Sequence, residues 1–116
     1  MKFFTFFHPA KPMVPSEQHL ADMAKLTEES TKAGILLATG ALHPSSKGLK
    51  IRRSGQEYTV TDGPFAEAKE LILGYAMLEV KSKQQLIDVV KRFLEVAGDG
   101  ESEVWQVYDG PPPAAK

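Results

Sequence analysis

His19 and Asp62 are the side chains best suited by type to move protons. A histidine changes charge near neutral pH, with an ordinary pKa of about 6.5, and a nearby carboxylate can orient its ring. His19 stands one position before Leu20, at the edge of an apolar helical stripe. Its imidazole therefore lies either at the margin of the core or on the helix surface. Asp62 opens the run Asp62-Gly63-Pro64-Phe65. Gly63 can adopt backbone conformations closed to other residues, and Pro64 fixes its own φ at about −65°. The Asp62 carboxylate either shapes this turn or is an acid that the turn holds in place.

Two aromatic residues extend the set. Phe65 and Tyr75 could wall a small-molecule pocket, with the Tyr75 hydroxyl as a polar handle, or could pack in the core or a dimer interface. Glu67 and Glu70 are three apart and could share a helical face, Glu67 reaching the same cleft or both lying in a solvated turn beside Lys69. The three histidines, His8, His19 and His43, have no compact metal-ligand spacing, and His8 and His43 each precede a proline, as loop ends do. No metal site is expected. No glycine-rich phosphate loop, nucleophile elbow or dinucleotide fingerprint occurs, so no cofactor is expected.

These residues must be positioned by a small fold. Lys2 to Phe7 carries phenylalanine on both alternating faces and reads as a strand in the middle of a sheet. Pro9, Pro12 and Pro15 make residues 8 to 15 an irregular connection. Ser16 is a helix N-cap with Glu17 in the first turn, and a helix runs to about Ala33. Its buried stripe is expected at Leu20, Met23, Ala24 and Thr27. Gly34 ends it, and a second buried strand covers Ile35 to Leu42.

The next arms, Leu49 to Arg53 and Gln56 to Thr61, flank Ser54-Gly55 and predict a polar hairpin that protrudes or lies at an edge. A near-continuous apolar run from Ile72 to Val80 predicts a central strand. Ser82 with Gln85 has the pattern of a capping box, and Leu86, Ile87, Val90, Phe93, Leu94 and Ala97 follow the helical period until Gly98. Asp99-Gly100 turns the chain, and Glu103 to Tyr108 alternates as a last strand.

With the hairpin set aside the order is βαββαβ, the ferredoxin-like α+β plan with both helices on one face of an antiparallel sheet. Strands apolar on both sides would leave the other face exposed in a monomer, so a homodimer with facing sheets is expected. The domain is expected to span residues 1–109, with 110–116 a flexible, proline-rich tail.

At 116 residues there is room for a single core, and 42% hydrophobic and 25% charged residues suit an ordinary globular chain. Fourteen basic residues against fifteen acidic ones give a net charge of −1 without a basic block, which argues against a nucleic-acid partner. The absence of cysteine excludes disulfides and thiolate chemistry. No apolar run approaches the roughly 20 residues that span a bilayer, and the apolar start is too short for a signal peptide; a cytoplasmic protein without a membrane partner is expected.

The block Thr61-Asp62-Gly63-Pro64-Phe65-Ala66-Glu67-Ala68-Lys69-Glu70, followed by a strand containing Leu73-Gly74-Tyr75, resembles the signature of DGPF-domain proteins, a branch of the YCII-related family. Ala68 stands where a hydroxyl residue is more common, and Ile72-Leu73 where a second glycine is. The run Pro15-Ser16-Glu17-Gln18-His19-Leu20 resembles the start of the first helix in YCII-like proteins. The resemblance implies a dimeric α/β-barrel and a histidine–aspartate active site, carried here by His19 and Asp62. The function it suggests is cofactor-independent acid–base chemistry of isomerase or lyase type on a small cyclic or aromatic polar molecule. The alternative is a non-catalytic binding or regulatory accessory protein, since DGPF-type proteins are often associated with extracytoplasmic-function sigma factors.

Overall fold

The structure is a computed structural model and describes residues 1–11, 14–43, 47–64 and 72–114. Its elements are β1 (Lys2–Pro9), α1 (Glu17–Lys32), β2 (Leu36–Ala41), β3 (Leu49–Ser54), β4 (Glu57–Asp62), β5 (Gly74–Glu79), α2 (Lys83–Ala97) and β6 (Gly100–Val107). Four strands form one sheet in the order β2-β5-β1-β6, antiparallel at each pairing, and β3-β4 form a separate hairpin. Apart from the hairpin, this is the element order and strand order of a ferredoxin-like α+β fold.

Local chemistry sets the helix ends. Ser16 accepts a hydrogen bond from the backbone N–H of His19 at 3.1 Å, and Ser82 accepts one from Gln85 at 3.1 Å. Each satisfies a donor that the first helical turn leaves orphaned. The Gln85 side chain in turn accepts from the Lys81 N–H at 2.7 Å. At the end of α1, Gly34 adopts a φ of 75°. Its N–H reaches Thr31 while that of Ile35 reaches Ser30, both at 3.1 Å, the paired bonds of a glycine-terminated helix.

Alternation in β1 divides its side chains. Phe3 and Phe7 are buried on the helix-covered face, where Phe3 joins Leu78, Val80 and Leu86 in the core and Phe7 meets Phe93 edge to face at 5.4 Å. Fully burying one such side chain contributes about 1.5–3 kcal/mol. Phe4, Phe6 and His8 point to the opposite, open face. The register adds Tyr75 and Met77 of β5 and Glu103 and Trp105 of β6 to that face. Phe4 and Phe6 are half-buried there, and Trp105 is 60% exposed.

Several elements differ from the sequence reading. No residue of α1 is buried, Leu20 is 55% exposed and Ala24 is exposed. The half-buried line of this helix runs through Met23, Leu26, Thr27 and Ser30, because α1 sits beside β2 and against α2 at the margin of the sheet. Arg92 of α2 pairs with Glu29 of α1 across that contact. The hairpin turn is Gly55-Gln56, one residue later than expected, and the register puts Leu49, Ile51, Tyr58 and Val60 on one face. That face is exposed, with Ile51 and Tyr58 each at 66%, and largely apolar, Arg53 and Asp62 being its charged members, so the hairpin is amphipathic and not polar throughout. Gly100 is the first residue of β6, paired with Pro9, and not part of a turn.

Candidate functional site

One end of the sheet gathers most of the residues with chemical potential. β1 finishes there at Pro9, β2 finishes at Ala41, β5 begins at Gly74 and β6 begins at Gly100. α1 runs back from this end: its 16 residues span about 24 Å, and its C-terminus leads into β2 at the opposite end, where Leu36 pairs with Leu78. The first turn of α1, with His19, therefore belongs to the same end as the start of β5. Both connections to the hairpin also meet there. Leu42 and Leu73 are joined by a 2.9 Å backbone bond, and Leu73 donates to Phe7 at 2.8 Å.

His19 is half-buried and Asp62 exposed. No hydrogen bond or ion pair joins them, and neither side chain makes such a contact among the described residues. Asp62 is the last residue of β4, opposite Leu49, and so stands at a strand end immediately before the turn, which continues into residues 65–71 outside the described ones. The hairpin is closed beyond it by the Gly63 N–H donating to Gly48 at 2.8 Å. Phe65 and Glu67 lie outside the described residues. Tyr75 is on the open sheet face, its ring stacked on Phe4 at 5.8 Å, while Phe4 meets Phe6 edge to face at 4.8 Å.

A second constellation escaped the sequence reading. His8 lies inside β1 and not in a loop, because Pro9 takes the last strand position. His8 Nε2 is 3.5 Å from Glu103 Oε1, with the His8 side chain 20% and that of Glu103 44% exposed. The other oxygen of Glu103 accepts a hydrogen bond from the indole N–H of Trp105. A contact this open contributes at most about 1 kcal/mol even between full charges, so stability alone gives little reason for it. Two signals pointed to it: the Phe4-Phe6-His8 alternation and the Glu103-Trp105 alternation. The register between those two strands did not follow from either.

His43 lies just beyond β2, exposed and outside any element, in keeping with a loop end. Among the described residues no group of three or more His, Asp or Glu is arranged to hold a metal ion. No helix among them is long and apolar enough to cross a membrane, which says nothing of a β-barrel.

An antiparallel sheet with two helices on one face and a histidine–glutamate pair with aromatic neighbours on the other defines a small α+β domain with an open, partly polar sheet surface. The family model described as the YCII-related domain matches residues 1–109, and the chain belongs to that family. It is also similar to an uncharacterized protein of Rhizobium meliloti (strain 1021), at 31% identity over 75 residues. That match covers 65% of this chain and 60% of the relative, so the chain spans well under the full length of the curated relative it matches.

Proposed function

We propose that the chain is a cofactor-independent enzyme of the DGPF branch that uses acid–base chemistry, of isomerase or lyase type, on a small cyclic or aromatic polar molecule. His19 is the proton carrier. Asp62 orients it or carries a second proton, and Tyr75 walls the site together with Phe65, with Glu67 in reach. The observation that supports this reading is the shared end of the sheet: the first turn of α1 and the start of β5 belong to the end from which both hairpin connections leave. General acid–base catalysis needs two proton carriers within reach of one small molecule, and this reading assigns that task to His19 and Asp62.

The same reading includes a homodimer in which open sheet faces meet as an α/β-barrel. The chain is a plate 47 × 43 × 19 Å with 8993 Å² of accessible surface, against about 6,200 Å² for a compact monomer of its mass. Trp105 and the apolar hairpin face are surfaces a second copy could cover.

The test is turnover of small cyclic ketones, enols and phenols by the wild type, His19→Gln and Asp62→Asn, with thermal unfolding followed in parallel. Loss of turnover with unchanged unfolding supports the enzyme. Ligand binding without turnover in any of the three would favour a non-catalytic accessory module, and Asp62→Asn lowering stability and binding together would make Asp62 a structural residue.

A further inference from the structure

The aromatic sheet face makes the proposed substrate class narrower. Phe4, Phe6 and Tyr75 form a floor of stacked and edge-to-face rings, with His8 at one end, Glu103 beside Phe6 and Trp105 beside Phe4. The Glu103 carboxylate is held from two sides, by His8 Nε2 and by the Trp105 N–H, which fixes its position over the floor. The charged and titratable groups on this half of the face are His8 on β1, Glu101 and Glu103 on β6 and the Tyr75 hydroxyl on β5. Glu101 stands opposite His8 in the register, so two carboxylates face one imidazole. A planar ring finds an aromatic surface here. A carboxylate brought by a ligand would meet like charge.

We propose that the His8–Glu103–Trp105 cluster is a binding site for the hydroxyl of an uncharged aromatic ring, a phenol and not an aromatic acid. The ring lies on the Phe4–Phe6–Tyr75 floor, and its O–H donates to the Glu103–His8 pair. The inference rests on the proposed small-molecule function and, apart from the shared Tyr75, assigns its specificity to residues that reading did not use. In the facing-sheet dimer the cluster would line the space between the two copies.

Trp105 is the single tryptophan, so its indole N–H gives one resonance that reports on this cluster. The experiment titrates the full chain with phenol and, separately, with benzoate, following that resonance in the wild type, Glu103→Gln, His8→Gln and His19→Gln. Phenol is expected to shift it saturably and to bind at least tenfold more tightly than benzoate. Glu103→Gln should weaken phenol on the order of tenfold, as loss of a charged hydrogen-bond partner does, and should narrow the phenol-to-benzoate ratio. A purely structural Glu103 would not change that ratio.

Equal or tighter binding of benzoate, no phenol-dependent shift, or unchanged phenol affinity in both Glu103→Gln and His8→Gln would overturn the proposal. His19→Gln separates it from the catalytic reading. Phenol selectivity in a wild-type chain that turns nothing over, retained in His19→Gln, supports this site while the acid–base function fails. Turnover that depends on His19 without any phenol binding has the opposite meaning.

Discussion

His8 of β1 and Glu103 of β6 face each other across the open side of the sheet, with Nε2 and Oε1 3.5 Å apart. Trp105 completes the group by donating to the same carboxylate, and it is 60% exposed in the single chain. If two sheets face each other in solution, this indole is covered. The protein should therefore sediment at about 25 kDa, twice the 12.7 kDa of one chain, and acrylamide should quench Trp105 weakly. Dilution that dissociates the dimer should raise the quenching constant. A 12.7 kDa species with strongly quenched tryptophan would contradict the facing-sheet arrangement.

Gly40 and Tyr75 are a second close pair on this face. They are register partners, and a Cβ added at Gly40 would lie 2.6 Å from Tyr75 Cε1 and 2.9 Å from its hydroxyl. The tyrosine ring thus lies across the glycine and has no room for a methyl group. Gly40→Ala should displace the ring, with a cost of about 1–3 kcal/mol if the sheet does not relax. Denaturant unfolding measures the cost. A second variant, Tyr75→Phe, should leave stability nearly unchanged, since no hydrogen bond of the Tyr75 hydroxyl occurs among the described residues.

Ser16 controls the turn that carries His19, because its hydroxyl accepts from the His19 N–H itself. Ser16→Ala should destabilise the chain by about 1 kcal/mol, and Ser16→Asp should restore it. If His19 is the proton carrier, turnover in Ser16→Ala should fall by more than the lost stability explains, and Ser16→Asp should recover it. Equal activity in the three proteins would show that this cap does not position the imidazole.

The parts of the fold that depend on local chemistry were legible in the residues. Ser16, Ser82, Gly34 and Gly98 mark helix ends where the sequence pattern puts them, and the doubly apolar β1 is indeed central in the sheet. What failed depended on packing between distant segments. The stripe of α1 was assigned from spacing alone, yet exposure of Leu20 depends on how far the helix sits over the sheet, and it sits at the margin. His8 was read from the proline after it, although a proline can occupy the last position of a strand. Glu103 is 95 positions away from His8 in the chain, so only the β1–β6 register could join them. Likewise, alternation in the hairpin arms was visible, but the shared apolar face of Ile51 and Val60 required the turn to be placed correctly.

The most direct test of the acid–base account is exchange of substrate carbon-bound hydrogen for deuterium in D2O, followed by proton NMR over a panel of cyclic ketones, enols and phenols. An enzyme that moves protons at carbon should exchange a specific ring hydrogen even where no net product accumulates. The account predicts such exchange with the wild type and a fall of about 10²–10⁴-fold in both His19→Gln and Asp62→Asn, with folding intact. Exchange that proceeds at the wild-type rate without His19, or a folded wild type that exchanges nothing across the panel, would contradict it.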